Sequence, residues 1–140
     1  TLNIMGIAGL GAGIDFINEI GITNIHKKDM YLLKRLYEGI KDIKGIKFYT
    51  DCSEFEKEPE FIRHGSILPL NIDGIHSGDL ADYLGEDYDI AIRAGAHCAP
   101  LMHKAFGTVD EGIARFSFSY FNTEEEIDAV IKAIKEIVEE

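Results

Sequence analysis

The stretch from Ile113 to Val138 changes its hydrophobic period once, and that change restricts the fold more than any other part of the chain. From Ile113 to Tyr120 the residues alternate: Ala114, Phe116, Phe118 and Tyr120 share one face, while Ile113, Arg115, Ser117 and Ser119 share the other. A period of two marks a strand with one buried face. Thr123-Glu124-Glu125-Glu126 then reads as a capping box, in which a threonine and a glutamate three residues on satisfy each other's free backbone donors. Ile127, Val130, Ile131, Ile134 and Val138 follow at helical spacing. A half-buried strand running into an amphipathic helix calls for a sheet with helices laid on it. Arg115 projects from the more polar face of that strand.

The rest of the chain supplies the partners such a strand needs. Ile7, Leu10, Ile14 and Ile17 recur at helical spacing, with Gly21 as the stop. A second helix is predicted from Thr23 or Asn24, with Met30, Leu33, Tyr37, Ile40 and Ile43 on one stripe and Gly45 after it. Ile46 to Tyr49 reads as a short strand, residues 51 to 66 as a solvated connection, and Ile67 to Ile72 as the next strand. Pro69 lacks a backbone donor and marks that strand as an edge or a bulge. Ser77 is placed to cap a short helix through Leu80 and Leu84, and Tyr88 to Arg93 reads as a further strand. The sum is an α+β layer, a small and mainly antiparallel sheet backed by helices.

At 140 residues and 46% hydrophobic content the chain is the size of one domain with one core. A net charge of −11 repels phosphate backbones and anionic lipid, so neither nucleic acid nor a membrane surface is an expected partner. No apolar run approaches the about 20 residues needed to span a bilayer, and Thr1-Leu2-Asn3-Ile4-Met5 lacks the basic region of a signal peptide. Two cysteines without framework spacing fit a reducing cytoplasm. A first residue that is Thr rather than Met suggests a chain cut from something longer.

Chemistry concentrates in Arg93-Ala94-Gly95-Ala96-His97-Cys98-Ala99-Pro100. A thiol in a glycine-containing turn, beside an imidazole and five residues from a guanidinium, is arranged to be reachable and kept ionised. A lone cysteine is otherwise a small apolar group, and Cys52, without such surroundings, is read as structural. His97 and His103 flank Cys98, but a closed zinc site needs about four ligands and no second Cys/His pair is near; no metal is expected. Gly9-Leu10-Gly11-Ala12-Gly13 imitates a nucleotide loop, yet no strand precedes it and its third glycine falls one residue early, so close helix packing explains it better.

The block from Arg93 to His103, then Gly107-Thr108, Gly112-Ile113-Ala114-Arg115-Phe116-Ser117 and Tyr120-Phe121-Asn122-Thr123-Glu124-Glu125-Glu126-Ile127-Asp128, resembles the C-terminal part of cysteine desulfurases and selenocysteine lyases. These are pyridoxal phosphate enzymes of the class V aminotransferase family. Thr1-Leu2-Asn3 and Gly6 to Ala12 are similar to the family's Gly-Thr-Pro-Asn segment and the helix after it, with Leu2 in place of the proline.

The resemblance implies the C-terminal domain fold of fold-type I pyridoxal phosphate transferases. Residues 1–140 would be that small domain with the domain-junction helix, and the N-terminal cofactor-binding large domain would be absent. It makes Cys98 the nucleophile that takes sulfur from substrate cysteine as a persulfide and leaves alanine, a task suited to thiolate exchange on a soft atom. Arg115 becomes the residue holding the substrate carboxylate, with Arg93 a second anion contact. His97 would tune Cys98, and Thr1 would reach the cofactor phosphate of the neighbouring subunit of a homodimer. The family's Schiff-base lysine sits in a His-Lys pair well before the Gly-Thr segment. His26-Lys27 reproduces the pair but comes after it, at the start of an amphipathic helix, and is set aside as a charged first turn.

The expected parent is therefore a cysteine desulfurase that hands sulfur to an acceptor protein, with this chain inactive alone. Two alternatives stay open: a selenocysteine lyase or other class V enzyme, and a free-standing sulfur-carrier or binding module.

Overall fold

The computed structural model describes residues 1–139. Two helices open the chain, α1 (Ile4–Ile20) and α2 (Ile22–Ile40), bent by 81° about Gly21. At Gly21 φ is +87°, a conformation that costs glycine nothing and other residues about 1 kcal/mol or more. No single helix among the described residues is long and apolar enough to cross a membrane. Strand β1 (Ile46–Phe48) follows, then two 3₁₀ turns (Cys52–Glu56 and Pro59–Phe61), β2 (Ile67–Ile72) and α3 (Ser77–Tyr88). A short α4 (Pro100–Phe106), β3 (Ala114–Ser117) and α5 (Glu124–Glu139) complete the order.

The sheet is antiparallel throughout in the order β1-β2-β3, with Phe48 opposite Leu70 and Leu70 opposite Ala114. The α+β architecture read from the sequence is the one observed. One face carries the core: Leu68 and Leu70 of β2 and Ala114 and Phe116 of β3 pack with Met30, Leu33, Leu36 and Ile40 of α2 and Ile127 and Ile134 of α5. The capping box forms as written, with Thr123 Oγ1 accepting from the Glu126 amide at 3.2 Å and the Glu126 carboxylate accepting from the Thr123 amide at 3.0 Å. A fork from Arg35 to Asp128, at 2.8 and 2.9 Å, ties α2 to α5 outside the core.

Several local expectations are corrected. Pro69 lies in the central strand. Its carbonyl accepts from the Tyr49 amide at 3.0 Å, one residue beyond the end of β1, so the missing donor costs a bond only where that ladder has stopped. The 51–66 connection is not merely solvated, because Phe55 and Ile62 are fully buried, the second 3₁₀ turn lies against α2, and Phe55 of the first meets Tyr37 of α2 at 5.0 Å between ring centroids. His76, not Ser77, caps α3 through Nδ1, which accepts from the Gly78 amide at 3.1 Å. Helix α3 runs on through Tyr88, and the expected strand to Arg93 reduces to one bridge between Arg93 and Arg115. Helix α2 begins at Ile22 and ends before Ile43, which nevertheless packs on the core. Finally, a Cβ at Gly9, Gly11 or Gly13 would meet open space, so within this chain nothing packs closely on them.

Candidate sulfur-transfer site

Cys98 sits at the corner of a turn that extends the sheet. Arg93 and Arg115 exchange backbone bonds, 3.3 Å from the Arg93 amide and 2.7 Å from the Arg115 amide, and the Ile113 amide donates to Gly95 at 3.2 Å. Gly95 has φ +98°, and the chain then folds through His97 and Cys98, at φ +51° and +56°, to a bond from the Ala99 amide to the Ala96 carbonyl at 2.9 Å. Two positive φ values at the central positions follow the pattern of a type I′ turn, which neither residue favours intrinsically. Non-glycine residues held this way cost about 1–2 kcal/mol each. The turn presents the Cys98 thiol to solvent, and Pro100 starts α4 immediately after it.

His97 lies beneath the turn. Its Nε2 is 2.8 Å from the Ile113 carbonyl. A carbonyl only accepts, so the proton is on Nε2 and Nδ1 carries a lone pair. Burial pushes this imidazole below its ordinary value; the Ile113 carbonyl opposes that shift, while Arg115, Arg93 and His103 add to it. The neutral ring stacks on His103 with centroids 6.1 Å apart. His103 is itself buried, with Nδ1 2.9 Å from Thr108 Oγ1.

Arg115, in the middle of β3, turns away from the core face carried by Ala114 and Phe116. Its Nε is buried and has no partner among the described residues, and the same holds for Nδ1 of His97. A buried guanidinium donor left open is a place for an anion. The structure thus joins Arg93, His97, Cys98 and Arg115 in one unit, while Thr1 stands apart, exposed, ahead of the Asn3 cap of α1. Lys27 of α2 pairs with Glu60 at 3.4 Å, and His26 Nε2 lies 2.9 Å from the Ile62 carbonyl; α2 begins at Ile22, so the dipeptide sits one turn into the helix rather than in its first turn. Cys52 is half-buried, and burial pushes its thiol up.

Sequence reasoning missed the supports of this unit. Asn71 of β2 is buried, with Nδ2 2.9 Å from the Gly112 carbonyl and Oδ1 3.2 Å from the Ala114 amide. Ser77, also buried, donates to the Glu111 carbonyl at 2.6 Å. The signal was present: an amide inside the apolar run Ile67–Ile72 is costly unless it is bonded.

The Aminotransferase class-V family profile matches residues 1–130. The chain is 39% identical over 98% of its length to a probable cysteine desulfurase of Methanothermobacter thermautotrophicus, and 35% identical over 99% to one of Pyrococcus abyssi. It spans 32% of the length of each. Among solved structures, the apo cysteine desulfurase of Thermococcus onnurineus superposes over 99% of the chain and 32% of that protein, with a TM-score of 0.85 and 32% identity. A cysteine desulfurase of Escherichia coli superposes over 99% of the chain and 31% of its own, with a TM-score of 0.81; at 24% identity it speaks for the fold alone. With most of its length matched by the family profile and its fold shared with these structures, the chain belongs to the class-V aminotransferase family.

Proposed function

We propose that this chain is the C-terminal small domain, with the domain-junction helix, of a pyridoxal phosphate-dependent cysteine desulfurase. The observation that carries this is the Cys98 turn: an exposed thiol on a strained corner, hung by the Arg93–Arg115 bridge from the strand that holds Arg115. The chain's length, about a third of that of its relatives, and the bare apolar face of α1 support the assignment as one domain of a larger protein. Leu2, Ile4, Met5, Ile7 and Leu10 are all exposed.

The residues present suit the substrate-facing side of the cofactor. The open Nε of Arg115 is the donor that a substrate carboxylate takes, Arg93 adds a second positive charge, and Thr1 is free to meet a phosphate of the neighbouring subunit in a homodimer. The anchoring lysine is assigned to the family's large domain, because His26-Lys27 falls after the Thr1–Asn3 segment rather than before it. When bound, the cofactor supplies the electron sink that lets the substrate's Cβ–S bond break. Cys98 Sγ bonds to the substrate sulfur as that bond breaks. The electron pair leaves with Cβ, which is reduced and protonated on the way to alanine, and Cys98 is oxidised to the persulfide. His97, neutral and fixed by Ile113, tunes the turn without adding a competing charge. The substrate is cysteine or selenocysteine, and the persulfide on an exposed corner is open to an acceptor protein.

Cys98→Ala in the cofactor-loaded protein tests the assignment. Persulfide formation from cysteine should vanish, and unchanged turnover of cysteine would refute it. Loss with cysteine but retention with selenocysteine would identify a selenocysteine lyase instead.

A further inference from the structure

The β2–β3 ladder ends at Leu70 opposite Ala114. One residue beyond, the Asn71 side chain continues the pairing in place of backbone. In an extended segment the N–H and C=O of one residue point to one side, and the flanking C=O and N–H point to the other. Around Ile113 both sides are engaged. Its own amide donates to Gly95 at 3.2 Å and its own carbonyl accepts from His97 at 2.8 Å, both within the cysteine turn. The flanking Gly112 carbonyl and Ala114 amide meet the two ends of the Asn71 carboxamide, at 2.9 and 3.2 Å. Asn71 is 8% exposed, so water does not compete for these bonds.

The geometry points to Asn71 as a positioning residue of the sulfur-transfer site: its carboxamide fixes the Gly112–Ala114 segment, from which the Cys98 turn hangs on one side and the Arg115 strand continues on the other. This rests on the assignment of Cys98 and Arg115 above. A carboxamide is required because one donor and one acceptor must be offered in the same plane. Aspartate has the same shape but sets a carboxylate against the Gly112 carbonyl, and leucine fills the volume with no bond at all.

Asn71→Asp and Asn71→Leu test the inference by two readouts. In hydrogen exchange, the amides of Ile113 and Arg115, which donate to Gly95 and Arg93, should exchange at least about tenfold faster. The Phe118 amide, bonded to Ser66 at 2.8 Å just beyond the far end of the β2–β3 ladder, should stay near its wild-type rate. In the cofactor-loaded protein the KM for cysteine should rise and persulfide formation should fall, each by about tenfold or more, because displacements near 1 Å are costly at a reacting centre. If Phe118 exchange rises in step with Ile113 and Arg115, or if exchange and KM match wild type in both variants, Asn71 is a packing residue only and the inference fails. Failure of the desulfurase assignment shows separately, as cysteine turnover that survives Cys98→Ala in the otherwise wild-type protein.

Discussion

At Gly112 the loop before β3 passes close to Gly95, at the start of the cysteine turn, and Gly112→Ala measures how much that approach contributes. A Cβ there would sit 2.6 Å from Ser77 Oγ, 2.7 Å from Gly95 Cα and 3.1 Å from the Gly95 carbonyl carbon. Gly112 also has φ +66°. The left-handed conformation costs alanine about 1–2 kcal/mol, and forcing backbone apart in a packed region costs about 1–3 kcal/mol more. A central value is about 3 kcal/mol. With an unfolding entropy of about 2.1 cal/mol/K per residue, a 140-residue chain loses about 10 °C of Tm for that change. Gly107→Ala is the matched control, since Gly107 has φ +71° but open space around its Cβ position. It pays only the conformational cost, about 3–7 °C by the same conversion. Thermal unfolding of both variants, followed by far-ultraviolet circular dichroism, decides the matter. A Gly112→Ala Tm no lower than that of Gly107→Ala would refute the claim that the turn is packed against this glycine.

The two thiols should separate cleanly in a labelling experiment: with iodoacetamide near neutral pH, peptide mapping should find Cys98 alkylated well before Cys52. Cys98 is exposed, whereas Cys52 is half-buried and its thiol is pushed up by burial; equal rates would count against the site. Asp29 gives a pH test. Burial raises its carboxyl above the ordinary value, with His26 and Lys28 partly opposing, and its Oδ1 has no partner among the described residues. The folded state therefore holds its proton more tightly than the unfolded state. Its contribution to stability is full below the unfolded value of 3.8 and is lost as pH rises through the folded value. Asp29→Asn should melt above wild type at pH 7, with the gap closing as pH falls towards 4; a gap that widens on acidification would reverse the reasoning.

Where local chemistry decides structure, the sequence was readable. The Thr123–Glu126 box, the Gly21 stop and the alternation through Phe116 depend on neighbours in the chain, and each appears as expected. The errors share another origin. Pro69 is acceptable in a central strand only because β1 ends at Phe48, which Pro69 itself does not reveal. Phe55 and Ile62 are buried in a polar-looking connection because α2 lies beside it. Tyr88 to Arg93 has the composition of a strand, but α3 extends through Tyr88 and Asp89 takes a left-handed turn at φ +56°. At the candidate site, the residues proposed to react were legible from their motif, whereas Asn71 and Ser77 bond backbone 34 to 43 residues away and leave only the trace of polar groups in buried positions.

Helix α1 is held near one end. Phe16 stacks on Phe121 at 5.3 Å between centroids and meets Tyr120 edge-on at 5.6 Å, while the preceding residues touch little else of the chain. At 1.5 Å per residue, Phe16 lies about 7.5 Å along the axis from the Gly21 joint and Asn3 about 27 Å. The helix is a pointer with a mechanical ratio of about 3.6. A 1 Å displacement of the Phe16 ring therefore sweeps the Thr1–Asn3 end by about 3–4 Å. One aromatic cluster at the turn into α5 sets the aim of the whole amino-terminal arm.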